Sequence, residues 1–312
     1  MTLPEQPLGI ARAKINLGLA IVGERDDGYH ALRSVFVLIG LADRLTVELA
    51  PGAVADSLIV DGEPGLPVEG NLVLKAASLA RFFSAPQAPF LAFRLVKRIP
   101  LSAGLGGGSS DAAAAIRVAM DAWGVRQTGP ALHGLAAAIG ADVPFFTTAE
   151  PVALVSSIGD QHRPLPGLQS RPGILLVSPD VPISTRDAFA AYRFHRTDTA
   201  RIVDDLAMDF VGGLDGPGLA AWTDRLADAN DLWQAATTVA PRLREIRALI
   251  ESRLGRRVFM SGSGSTFVGL YPSPQAAVEA GRLLAADLPD PLAGARIAAT
   301  DDVGPDPHWR FP

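Results

Sequence analysis

From Ala11 to Ile21 the chain alternates: Ala11, Ala13, Ile15, Leu17, Leu19 and Ile21 share one face, Arg12, Lys14, Asn16 and Gly18 the other. Period two over this length predicts a half-buried strand. Asp26-Asp27-Gly28 supplies a turn, and the β-branched and aromatic run from Leu32 to Leu49 predicts further β structure, so the chain opens as antiparallel sheet. The rhythm then changes. Leu72, Val73, Ala76, Ala77, Leu79, Ala80 and Phe83 recur at helical spacing between Asn71 and Phe83. A strand from Phe90 to Ile99 ends at Pro100, and an alanine-rich helix runs from Asp111 to Trp123 with Gly124 as its stop. Leu132, Leu135, Ala136 and Ile139 predict another helix, which closes at Gly140 and delivers Asp142 into the loop before Pro144.

Pro151, Pro164, Pro166, Gly167, Pro172 and Gly173 crowd a short stretch, and a domain boundary is expected near residue 160, giving units 1–160 and 161–312. The second unit opens with a strand from Gly173 to Val177. Helices are predicted at Asp187–Tyr192, Gly218–Asp228, Pro241–Leu254 and Pro274–Ala286, and strands at Arg257–Met260, Thr266–Tyr271 and Ala295–Ala299. Helices interspersed with short strands in this order indicate an α+β fold.

Composition narrows the function more than the fold. The 312 residues carry 28 Lys+Arg against 33 Asp+Glu, a net charge of −5 with the signs interspersed, so no basic stripe gathers nucleic acid or anionic lipid. Apolar runs fall far short of the roughly 18 residues that span a bilayer, and Pro4, Glu5 and Gln6 spoil a signal-peptide core. The expected address is the cytoplasm. Zero cysteines exclude disulfides, thiolate metal sites and a cysteine nucleophile. The five histidines lie more than a helical turn apart and no calcium-loop motif occurs, so no protein-built metal site is expected.

The chemistry concentrates in Gly104-Leu105-Gly106-Gly107-Gly108-Ser109-Ser110. A glycine-packed loop running from a strand into a helix offers free backbone N–H groups at the positive end of the helix dipole, with no β-carbons to hold a ligand away. Ser109 and Ser110 add hydroxyls where a helix cap is expected. No lysine follows the glycines, so the P-loop NTPase pattern fails, and Ser109 stands where the dinucleotide-binding pattern needs its last glycine. The whole motif from Pro100 to Ala113 resembles the phosphate loop of the GHMP kinases. Four further segments extend the likeness across residues 13 to 266: Ala13 to Leu17, Arg25 to His30, Gly140 to Phe146 and Met260 to Thr266. Together they are similar to the members of that superfamily that phosphorylate an alcohol carrying a cytidine diphosphate moiety.

The resemblance implies a two-domain fold, with an N-terminal domain like ribosomal protein S5 domain 2, a ferredoxin-like C-terminal domain and the site between them. It implies ATP as co-substrate, Mg2+ delivered with ATP, and a small-molecule acceptor, and it leaves the oligomeric state open. By pattern alone Lys14 and Asn16 form either a solvated strand face or a functional one; the resemblance makes Lys14 catalytic and Asn16 substrate-binding. Asp142 is by local sequence a turn former or cap, and by resemblance the acceptor of the C2 hydroxyl proton. Tyr29 and His30 either plug a sheet edge or take the cytosine end, Tyr29 stacking and His30 bonding the base edge, with Phe189 as a second stacking ring. Gly104 to Ser110, Asn71 and Lys97 match positions around ATP, although a capping Asn and a surface Lys account for the last two as well. Ser261 to Ser265 is implied to close beside the glycine loop, and Asn230-Asp231-Leu232 to be structural. Homoserine or mevalonate kinase is the alternative within the superfamily, against which Tyr29 and His30 argue. A catalytically silent nucleotide-binding relative is opposed by the retention of Lys14 with Asp142.

Overall fold

The computed structural model describes residues 8–301 apart from 64, 127, 149, 194–196 and 287. Two long antiparallel strands, β1 (Leu8–Glu24) and β2 (His30–Ala50), open it. The turn between them is closed by Arg25 N–H donating to Tyr29 O at 2.8 Å, with Gly28 at φ +80°. Further strands are β3 (Ser57–Asp61), β4 (Phe90–Val96), β5 (Val152–Ser156) and β6 (Gln161–Pro164). The sheet runs β3-β4-β2-β5-β6, with β1 also paired to β2, and β3 parallel to β4. Strand β2 can hold three partners because its two ends bond different neighbours: residues 44–50 meet β4 and residues 34–37 meet β5.

Strand β1 does not keep one apolar face. Its register against β2 shifts between Arg12 and Lys14, between Leu17 and Leu19, and between Ile21 and Gly23. Such irregularities exchange the two faces of a strand. Ala13, Ile15 and Leu17 therefore join one apolar cluster, and Ala11, Leu19 and Ile21 another. Every residue from Ala13 to Ile21 is buried, where a half-buried strand was expected. The cover is a helix that the sequence reading passes over, Thr199–Val211, whose Val203, Leu206, Ala207 and Phe210 follow helical spacing. It packs so closely that a β-carbon on Gly18 would lie 2.8 Å from Val203 Cγ2.

The second sheet holds β7 (Gly173–Ser178), β8 (Phe259–Met260), β9 (Phe267–Tyr271) and β10 (Arg296–Thr300) in the order β10-β7-β9-β8, every pair antiparallel. With helices between β7 and β8 and between β9 and β10, this is the β-α-β-β-α-β pattern of ferredoxin-like units. The expected helix Gly218–Asp228 is two pieces, Gly216–Ala221 and Thr223–Ala227. The division expected near residue 160 falls inside the β5–β6 hairpin, and by sheet membership we propose to place it between Pro164 and Gly173. Both apolar clusters draw residues from both sides of that division: Ile15, Val35 and Val37 with Ile174, Leu176 and Phe210 in one, Leu19 and Phe36 with Leu232 and Phe267 in the other. Burial of this apolar surface is the main force holding the halves together.

Candidate functional site

The glycine loop owes its shape to backbone proximity. Gly104 and Gly106 take φ +74° and +70°, values that L side chains rarely adopt. A β-carbon on Gly104 would lie 2.1 Å from Ser261 O, and one on Gly106 would lie 2.9 Å from Phe146 Cζ and 3.1 Å from Lys14 Cε. Gly106 caps the helix Gly107–Trp123, which starts four residues before the expected Asp111, and no side chain caps it. Its first ladder bond is Ser110 N–H to Gly106 O at 2.9 Å. The N–H groups of Gly107, Gly108 and Ser109 precede that bond at the positive end of a 17-residue helix, which is an anion site. Ser109 and Ser110 are thus not caps. They lie inside the first turn, Ser109 on the cleft wall and Ser110 buried.

Lys14 sits at a register shift of β1, a common device for re-aiming a side chain. It is not on a solvated face. Its ammonium donates to Asn16 Oδ1 at 2.6 Å, stands 3.6 Å from Asp142 Oδ2 and lies 4.4 Å from the centre of the Phe36 ring. Burial pulls the Lys14 ammonium below the ordinary lysine range, opposed by the Asp142 carboxylate. Asn16 is fixed from three sides: Nδ2 donates to Ser34 Oγ at 2.9 Å, its backbone N–H donates to Ser261 Oγ at 3.1 Å, and Oδ1 faces Lys14. Ser34 in turn donates to Gly18 O. Asp142 precedes the short helix Val143–Thr147, yet its carboxylate makes no capping bond.

At the other end of the same cleft Tyr29 is exposed, and His30 packs between Phe189, 5.6 Å away between ring centres, and Tyr192, 5.4 Å away and edge-on. Phe189 is therefore beside His30. The cleft measures about 910 Å³, and its wall includes Lys14, Asn16, Tyr29, His30, Lys97, Gly104 to Ser109, Asp142 and Phe189. Asn71 is not on it: its Oδ1 accepts from Val73 N–H at 3.0 Å and caps the helix Leu72–Ser84, although Leu72 beside it does line the cleft. Lys97 is no surface lysine. Buried, it bridges Asp43 Oδ2 at 2.5 Å and Asp111 Oδ2 at 2.8 Å. Asp43 Oδ1 also accepts from Arg98 and Ile99 N–H, so this triad ties the strand end to the helix of the glycine loop.

Residues 71–150 match the GHMP kinases N terminal domain and residues 224–290 the GHMP kinases C terminal domain. The 4-diphosphocytidyl-2-C-methyl-D-erythritol kinase of Nitrobacter hamburgensis is 38% identical over 284 residues, which cover 89% of this chain and 91% of that one. The protein of the same name from Rhodopseudomonas palustris is 39% identical over 298 residues, 93% of this chain and 95% of that one. This chain belongs to the 4-diphosphocytidyl-2-C-methyl-D-erythritol kinase family. A crystal structure of 4-(cytidine 5'-diphospho)-2C-methyl-D-erythritol kinase, 33% identical, superposes with a TM-score of 0.71 over 96% of this chain and all of that one. A homoserine kinase from Cytophaga hutchinsonii, 16% identical, superposes with a TM-score of 0.72 over 97% of this chain and 96% of that one, a likeness of fold.

As a member of this kinase family the chain braces its cleft with side chains beyond the expected catalytic and binding residues. Ser34 and Phe36 orient Asn16 and Lys14 from β2, and their only sequence signal is membership of a strand neighbouring β1. Asn230 Nδ2 donates to both Met260 O and Gly262 O at 2.9 Å, fixing the Ser261–Ser265 loop, and Ser261 Oγ donates to Gly104 O at 3.0 Å. The two Gly/Ser loops are thus one unit.

Proposed function

We propose that this cleft transfers the γ-phosphoryl group of ATP to the C2 hydroxyl of 4-diphosphocytidyl-2-C-methyl-D-erythritol, a step toward isoprenoid precursors on the non-mevalonate route. The observation that carries it is the convergence, in one cleft, of an uncapped helix N-terminus, a Lys14–Asp142 pair at 3.6 Å and an aromatic group. The N–H groups of Gly107, Gly108 and Ser109 cradle phosphate. Asp142, with no capping bond to satisfy, takes the acceptor's hydroxyl proton and aims its oxygen at phosphorus. Lys14 orients Asp142 and offsets charge that develops during transfer. Its own bonds to Asn16 and the Phe36 face hold the ammonium still, so little reorganisation accompanies the reaction. Tyr29, His30 and Phe189 take the cytosine, which suits a flat base with one polar edge.

Magnesium fits this site as a passenger of the nucleotide. Among the described residues no group of three or more His, Asp or Glu could hold a metal alone, whereas Ser109 and Asp142 both line the cleft. Such a donor set suits an ion that takes most of its ligands from phosphate and water. When bound, the ion neutralises phosphate charge. Asn71 caps a helix beside the cleft, and Lys97, on the cleft wall, braces the loop.

A turnover assay with ATP and three acceptors tests the reading. Phosphorylation of the cytidylyl substrate with neither homoserine nor mevalonate consumed is the expected result. Turnover of either of those in its place overturns it.

A further inference from the structure

Among the described residues three cationic side chains reach the cleft wall: Lys14, Lys97 and Arg186. Two are engaged. Lys14 faces Asp142, and Lys97 lies between two carboxylates that outnumber it. Arg186 is exposed on the wall and has neither an ion pair nor a hydrogen bond among the described residues. Among the described residues it is the free cation of the cleft.

Its place in the fold says what it can reach. Arg186 lies in the helix Thr185–Ala191, three residues before Phe189, so the two side chains are neighbours on one side of that helix. The preceding residue, Thr185, has its hydroxyl 3.1 Å from Ser263 Oγ, on the loop that packs against Gly104. Arg186 therefore stands between the aromatic end of the cleft and the phosphate-loop end. An acceptor whose base lies against Phe189 and whose hydroxyl reaches Asp142 must pass its linking group through this middle stretch.

We propose that Arg186 binds the diphosphate of the acceptor, and so selects an alcohol linked to a nucleoside diphosphate over one with the nucleoside alone. This rests on the function proposed above. A guanidinium is planar, always charged and able to donate two parallel hydrogen bonds to a phosphate group. Lys97 with Asp43 and Asp111 offers no surplus positive charge on this wall, so Arg186 is the side chain there that can offset an anionic linker. An anionic linker crossing that wall meets attraction at Arg186.

Calorimetric titration of wild type, Arg186→Met and Arg186→Lys with cytidine, CDP and ATP tests this. Wild type is expected to bind CDP about tenfold or more tighter than cytidine, the scale of a hydrogen bond to a charged group. Arg186→Met should bring the two ligands within about threefold of each other while cytidine and ATP affinities stay within about twofold, which also shows that the variant is folded; Arg186→Lys should recover part of the preference. A methionine variant that keeps the wild-type preference for CDP overturns the assignment alone. A loss confined to ATP overturns it in favour of the other nucleotide. Wild type that binds ATP but neither cytidine nor CDP overturns the proposed acceptor together with it.

Discussion

Asp142 stands immediately before a helix, where an aspartate ordinarily accepts an N–H of the first turn, and it does not do so. A carboxylate relieved of that duty and held 3.6 Å from a buried ammonium is available to the substrate. Asp142→Asn keeps the size and removes the anionic proton acceptor, so turnover should fall by roughly 10²–10⁴ with both substrate affinities within a few-fold. Single-turnover kinetics beside calorimetry separate the two, and a variant at near wild-type rate sinks the assignment. A late proton transfer places the loss at the lower end of that range. The same change removes the charge that opposes the burial-driven lowering of the Lys14 pKa. The ammonium then deprotonates at lower pH, and the residual activity should fade on the alkaline side sooner than in wild type. Tyr29 tests the opposite end of the cleft. It is 62% exposed, so Tyr29→Ala should leave the thermal transition in place. Loss of a stacking contact of about 1–3 kcal/mol raises KM for the cytidylyl substrate roughly 5- to 150-fold, with KM for ATP little moved. If ATP alone suffers, Tyr29 belongs to the other nucleotide.

Among the elements, the glycine loop was the most legible in sequence, because clustered glycines with serines between a proline-ended strand and an uninterrupted helix have few other uses. Its details were not. The serines read as caps because the alanine-rich pattern begins at Asp111, whereas backbone geometry at Gly106 starts the helix at Gly107. Lys97 read as a surface residue because strand alternation does not reveal which carboxylates the fold brings to it. Gly106→Val combines a φ of +70° with a branched side chain placed 2.9 Å from Phe146 and 3.1 Å from Lys14. ATP affinity should collapse, and unchanged affinity in a titration removes the cradle. The Asp43–Lys97–Asp111 brace makes the loop sensitive to pH. Burial pushes the Asp111 carboxyl up to about 7, with Lys97 opposing and Asp43 reinforcing the shift, and its Oδ1 is buried without a partner. A folded-state pKa raised above the unfolded value means that the folded protein holds the proton more tightly. That stability is fully present below the unfolded value near 4 and is lost as pH rises toward about 7. Asp111→Asn cannot ionise, so its melting temperature relative to wild type should climb between pH 5 and 8, by roughly 1–2 °C for each kcal/mol. Parallel curves for the two proteins would mean that Asp111 is not the titrating group.

On the scale of the molecule, the two sheets are expected to behave as one folding unit. The sequence suggested two domains because a run of prolines and glycines interrupts it near residue 160, and a linker is what such a run usually marks. What it could not display is that register shifts in β1 turn apolar residues to both faces, so that one face needs the other half as cover. Polar bonds follow the same seam: Leu19 N–H donates to Ala229 O and Asp231 N–H to Leu19 O, both at 2.8 Å. Asp231 then accepts from Ile21 N–H at 2.8 Å and from the Thr199 hydroxyl at 2.6 Å. Asp231→Ala leaves a buried N–H and a buried hydroxyl unpartnered, at about 1–3 kcal/mol each. The melting temperature should fall by roughly 3–9 °C. Because Asp231 touches neither the glycine loop nor Asp142, kcat measured well below the transition should stay within a few-fold of wild type. The decisive readout is the shape of unfolding. Of the four tryptophans Trp123 reports from the first half and Trp222 and Trp233 from the second, so variants that replace Trp309 and keep one set or the other follow each half in denaturant. Shared apolar clusters require coincident transitions in wild type, and Asp231→Ala should shift both midpoints together. Two separated transitions would show that each half carries its own core, and the seam along β1 would then be a docking interface between domains.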